Sequence, residues 1–261
     1  MRVRRPVVLM MRAAVVLIVM AVGAASAQEV PLPDAAPFLA AARENLAKAT
    51  KVQGRYAYKE RSTEVHRNPF GKIGSGGVRV FEVRPTGEPG VFMRRLLEDD
   101  GKPVPDARPE RIERRGRRPQ GRSSIEDAAA VLKFTLVRRE RIDGRDQIVV
   151  RFEGDPAARP ETREGRMAKM LAGHIWIDEQ AREVVRAEAT ATDDVSYGLG
   201  MVVRLRKGAR MLLTRAAVET TTDGQVWMLT SLRFTGEGRA MLVRKLTVNH
   251  VIEWFDYSSS F

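Results

Sequence analysis

The residues best suited to metal binding or proton transfer are three histidines, His66, His174 and His250, and none lies within ligand spacing of another. His250 alternates with Val248 and Ile252, which reads as a sheet histidine held by hydrogen bonds. The chain has no cysteine, which excludes thiolate metal sites, thiol nucleophiles and disulfides together. No serine stands in a Gly-x-Ser-x-Gly elbow. Asp99-Asp100 and Asp193-Asp194 are carboxylates adjacent in sequence, but neighbouring strand residues point to opposite faces. Both pairs also sit beside turn signals and read as solvated turn acids. The glycine-rich stretch at 71–77 lacks the following helix that a phosphate loop needs. Val-Arg-Val-Phe-Glu-Val-Arg at 78–84 alternates instead as a strand does, so 71–77 reads as a hairpin turn. Nothing here makes a catalytic constellation, and the expectation is a non-enzymatic protein without metal or cofactor.

The charge is uneven. Of a formal net charge of +12, the segment 102–122 carries +5: eight basic residues (Lys102, Arg108, Arg111, Arg114, Arg115, Arg117, Arg118, Arg122) face three acids (Asp106, Glu110, Glu113). Elsewhere charges mostly alternate with apolar residues, as on the solvent faces of strands, which argues against nucleic acid as a partner. Two readings of the basic segment stay open. It is a solvated loop, or Arg114, Arg115, Arg117 and Arg118 meet an anionic surface such as lipid headgroups or envelope proteins.

Four further arginines, Arg2, Arg4, Arg5 and Arg12, precede an apolar run at 13–24 and the small residues Ala25, Ser26 and Ala27. This is the layout of a secretory signal peptide over 1–27 with cleavage before Gln28. The alternative is an uncleaved inner-membrane anchor, although Arg12 interrupts the stretch it would need.

The elements follow from periodicity. Asp34 caps a helix in which Phe38, Leu39, Ala42, Leu46 and Ala49 recur at helical spacing to about residue 50. A strand follows over 52–66 with Tyr56 and Tyr58 on one face, then strands at 78–84 and 91–97 and a turn at Asp100-Gly101. Pro103, Pro105, Pro109 and Pro119 preclude a regular central strand over 102–122, with a short helix at 111–118 as one option. A helix is expected over 123–132, strands over 134–141 and 147–152, and a short helix or ordered loop over 160–172. The remainder gives strands at 174–178, 184–192, 201–206, 212–222, 225–235 and 241–255, with turns at 178–182, 223–224 and 236–238. Consecutive strands joined by short turns pair antiparallel. The fold class is therefore α+β: one domain over 28–261, a large curved antiparallel sheet of about ten or eleven strands with helices on one face, and a basic, proline-rich insertion at about 102–122.

Val-Gln-Gly-Arg-Tyr-Ala-Tyr at 52–58, Gly-His-Ile-Trp-Ile-Asp at 173–178 and Glu-Val-Val-Arg-Ala-Glu at 183–188, behind an export signal and an N-terminal helix, carry a resemblance. The chain resembles the periplasmic LolA/LolB/RseB-like superfamily of outer-membrane lipoprotein-sorting proteins. The resemblance implies an open half-barrel with helices packed on its concave face, a periplasmic location, and a hydrophobic cleft for lipid or lipoprotein acyl chains. A cell-envelope protein-binding module, using 102–122 or a sheet edge, is the alternative. Strand alternation then suggests Phe81, Met93, Trp176, Met201, Val203, Met228 and Leu232 as cleft residues, against plain core packing as the other reading.

Overall fold

The computed structural model describes residues 30–67, 76–113, 124–198, 202–221, 224–240 and 244–259. Residues 34–261 form one compact unit. The expected signal peptide over 1–27, residues 71–75 of the expected hairpin turn at 71–77, and Arg114, Arg115, Arg117, Arg118 and Met201 lie outside the described residues.

Asp34 caps α1 (Ala35–Gln53) by accepting from the Ala36 N–H, and Gly54 ends the helix. The chain then turns to strand chemistry: β1 (Tyr56–Arg67), β2 (Gly77–Pro85), β3 (Val91–Asp99) and two short strands, β4 (Lys102–Pro103) and β5 (Glu110–Glu113). After α2 (Ser124–Ala130) come β6 (Leu132–Ile142) and β7 (Arg145–Gly154), joined by Asp143 and Gly144 at φ 50° and 77°. Positive φ at both turn positions is what a tight hairpin between twisted strands requires. A six-residue α3 (Arg163–Ala168) leads to β8 (Leu171–Asp178), β9 (Val184–Ala191), β10 (Val195–Gly198) and β11 (Val202–Leu205). β12 (Arg210–Thr221), β13 (Gly224–Ala240) and β14 (Arg244–Ser259) complete the described elements.

All fourteen strands belong to one antiparallel sheet, eleven of them in the series β4-β3-β2-β1-β14-β13-β12-β9-β8-β7-β6, with β5 on β3, β10 on β11 and β11 on β13. The series does not close among the described strands, so the expected large open antiparallel sheet is what the chain builds, with eleven strands in series where about ten or eleven were expected and three more paired beside them. No described helix is long and apolar enough to cross a membrane.

Two expectations need correction, and one strand was not expected. Gly236 to Gly238 is not a turn: β13 runs through it, pairing Gly236 with Val248 and Gly238 with both Leu246 and Leu205. A helix at 111–118 is excluded at its start, because residues 110–113 pair with β3, and β10 was not anticipated at all.

Helix α1 lies on one face of the sheet, with Phe38, Leu39 and Ala42 against Phe134, Leu136, Ile148, Val150, Ile175, Ile177 and Val184. These strand residues are spaced two apart, so a single face supplies them all. The β8–β9 turn fixes the helix there. Asn45 Nδ2 donates to the carbonyls of Ala181 and Arg182, and the Arg182 guanidinium lies 4.6 Å over the Phe38 ring. Asp178, fully buried, holds the turn by accepting from the Gln180 and Ala181 N–H groups and from Arg145 Nε. Further along β8, a Cβ on Gly173 would stand 1.9 Å from the Glu188 carbonyl oxygen, so only glycine lets β9 approach.

Burial pushes the Asp178 carboxyl up, but Arg145 and the two N–H groups more than offset it and hold it below the ordinary value. A depressed folded pKa contributes stability above the unfolded value of about 3.9, and that stability is lost as pH falls through the folded value. Urea unfolding of Asp178→Asn should therefore show a weaker loss of stability below about pH 4 than the wild type, and Asp178→Ala should cost about 2 kcal/mol at neutral pH.

Candidate functional site

The register turns strand alternation into rows that cross the helix-bearing, concave face. One row runs Leu136, Val150, Ile175, Ala187, Leu213, Leu232, Ile252 over seven strands, from β6 to β14. At about 4.8 Å per strand it spans roughly 29 Å. The next row runs Phe134, Phe152, Gly173, Ala189, Met211, Phe234 over β6 to β13. Both rows turn polar at the same place. The first continues from Ile252 to Ser62 on β1, and the second from Phe234 to His250 on β14 and Glu64 on β1.

Three apolar clusters divide this face. The first is the one under α1. In the second, Met167 and Met170, from α3 and the residues after it, pack with Leu171, Ala191, Ala209 and Phe234. The third contains Tyr58, Val83, Phe92 and Trp254, with Ile112, Leu229, Leu232, Ile252 and Tyr257 against them. Every member of this third cluster comes from a strand, and Leu232 and Ile252 are only half-buried.

Polar groups edge the third cluster along β1, whose Tyr56, Tyr58, Glu60, Ser62 and Glu64 share the concave face by alternation. Glu60, nearly buried, accepts from Arg94 Nη2 at 2.6 Å and Trp254 Nε1 at 3.1 Å. The Arg94 guanidinium stacks 3.5 Å from the centroid of Phe81. Ser62 Oγ lies 3.0 Å from His250 Nε2, and Glu64 Oε1 lies 3.8 Å from the same nitrogen. A nucleophile relay needs the hydroxyl and the carboxylate on opposite ring nitrogens, so this trio does not make one. Among the described residues no group of three acids or histidines could hold a metal ion. The Tyr56 hydroxyl reaches over β14 and β13 to donate to Glu219 on β12 at 2.6 Å, a contact that the curl of the sheet makes possible.

The sequence-derived cleft residues separate. Leu232 belongs to the third cluster, and Phe81 borders it under Arg94. Met228 is fully buried. Trp176 and Met93 sit on the opposite, convex face, one residue out of phase with Ile175 and Arg94. There the Trp176 Nε1 donates to Glu140 and the ring lies under Arg186 at 4.9 Å. Val203 stands in β11, opposite Tyr197 and Ala240. Ile252, Tyr257, Arg94 and Glu60 were not anticipated. The bulge between Ala57 and Lys59, with Asp256 at φ 51°, shifts the phase of β14 near its end, and no alternation count reveals such a shift.

No family model matches the chain, and no curated protein matches it. Among solved structures, the chain is similar to a domain from Vibrio parahaemolyticus classed with the outer membrane lipoprotein-sorting proteins, with 14% identity over 85% of this chain and 92% of that one and a TM-score of 0.39. A DUF1329 family protein from Desulfovibrio piger shares 13% identity over 85% of this chain and 93% of that one, with a TM-score of 0.35. A LolA superfamily protein from Nitrosomonas europaea shares 14% over 84% and 94%, also with a TM-score of 0.35. No residue role, ligand or partner of those proteins transfers to this chain on such similarity.

The hydrogen bond to Glu219 pushes the Tyr56 phenol up to about 12. Ultraviolet titration, with Tyr56→Phe subtracted, should show that late ionisation in the wild type, and Glu219→Gln should return it towards the ordinary tyrosine value.

Proposed function

We propose that this chain is a non-enzymatic carrier or sensor of the periplasm that binds lipid or lipoprotein acyl chains on the concave face of its sheet. In this reading residues 1–27 are the export signal and 28–261 the single carrier domain. One observation supports it above the others: the third apolar cluster is assembled wholly from strands, beside two clusters that helical residues help to pack. An open sheet with one apolar face must cover that face, and an acyl chain is a cover that can leave.

The magnitudes suit the role. Each buried methylene gains about 0.8 kcal/mol, so ten gain roughly 8 kcal/mol. Association and ordering cost several kcal/mol of that, which leaves binding that is useful yet reversible. Leu136, Val150 and Ile175 of the first row lie under α1, so the stretch that meets such a chain is Ala187, Leu213, Leu232 and Ile252, roughly 14 Å over four strands. Leu229, Leu232, Ile252 and Tyr257 form the surface, and the polar edge on β1 marks where the chain stops.

Native mass spectrometry with lipid extraction on protein purified from its own periplasm should find a stoichiometric phospholipid or acylated peptide. In a variant retaining Trp254 alone (Trp176→Phe, Trp227→Phe), a brominated fatty acid should quench the emission, whereas a variant retaining Trp176 alone should stay bright. Empty protein and no quenching at Trp254 would defeat the proposal and favour an envelope-protein partner.

A further inference from the structure

The Glu60–Arg94 pair is the feature of the concave face that folding explains least. The two side chains are 12% and 27% exposed, and they sit against the apolar cluster of Tyr58, Val83, Phe92 and Trp254. A buried ion pair contributes little beyond what apolar residues of the same volume would, because desolvation offsets the attraction. The pair is also incompletely satisfied. Glu60 is well served, by Arg94 Nη2 and Trp254 Nε1, but the Arg94 Nε–H is buried and has no acceptor in the structure. A guanidinium offers five donors in a planar fork that suits oxygen acceptors, and stacking on Phe81 fixes its plane. An unmet buried donor of this kind costs about 1–3 kcal/mol and is uncommon.

The location gives the donor a use. Glu60 pairs with Trp254, and one step along the strands Ser62 pairs with Ile252, which is opposite Leu232. The apolar row therefore runs out beside the Arg94 guanidinium, in the same cluster. On the premise that this row takes an acyl chain, we propose that Arg94 receives the oxygen-acceptor head of that chain: the carboxylate, ester carbonyl or phosphate at its polar end. Glu60 is then a built-in competitor that holds the guanidinium when no ligand is bound and weakens an anionic head when one is. Phe81 and Trp254 position the two members of the pair.

The two residues should act in opposite directions, which a merely structural pair would not do. Calorimetric titration of delipidated protein with C12 probes tests this. Laurate should bind at least tenfold more tightly than dodecyltrimethylammonium, which has no acceptor. Glu60→Gln should tighten laurate several-fold. Arg94→Gln should erase the preference for laurate, and so should the double variant Glu60→Gln/Arg94→Gln, which strands no buried charge. Lauryl phosphate and methyl laurate beside laurate show which acceptor is preferred. If Glu60→Gln weakens laurate as Arg94→Gln does, or if the wild type binds both heads equally, the head site is wrong and the acyl surface stands. If no C12 probe binds the wild type, the acyl surface itself fails.

Discussion

The pairing of β1 with β14 is the constraint on which the rest of the sheet depends. Without it the strands fall into two groups, β2 to β5 with β1, and β6 to β13 with β14, each with an unpaired long edge. The register from Tyr56 opposite Ser259 to Arg67 opposite Thr247 joins them. It brings together residues nearly two hundred positions apart in the chain, at a loop-closure cost that grows only slowly with length. Both rows of the concave face cross this junction, and three polar contacts at their ends are made over it: Glu60 with Trp254, Ser62 with His250, Glu64 with His250.

The two faces divide the labour by charge as well as by apolarity. On the convex side cations are matched locally, Arg138 with Glu140, Arg186 with Glu188 and Arg61 with Glu253. Most of these pairs are exposed and add little to stability. They keep a strongly basic chain from presenting one large cationic field on that face. Deeper pairs do a different job: Arg215 is buried and ties Glu183 to the carbonyls of Val184 and Trp227, which locks β9, β12 and β13 where β13 bulges at Thr230.

Much of this was legible in the residues. Asp34 before a helical period, Asp143-Gly144 between alternating runs and the Tyr-x-Tyr of β1 each announce an element by a local rule, and each element is where the rule puts it. The apolar face was less legible because its phase depends on bulges. A one-residue slip moves a side chain to the other face, and β1, β3, β6, β8, β12 and β14 all take part in such shifts. Trp176 shows the consequence: its size suggests a cleft wall, yet its neighbour Ile175 is the one facing α1. Arg94 and Glu60 were missed for another reason. They touch through tertiary structure alone, 34 positions apart, and no spacing rule connects them.

Both ends of the sheet are built to stop. At one end β4 is two residues long and contains Pro103, which has no N–H to offer a further strand. At the other, β6 is long, but a bulge between Leu136 and Arg138 breaks its ladder, and Lys133, Arg138, Arg139 and Arg141 charge it. An open sheet with a greasy inner face is otherwise a template for fibrils, since a second copy could add edge to edge and extend both the ladder and the apolar rows. With its ends blunted, the sheet can keep two free edges without adding copies of itself into a longer ladder.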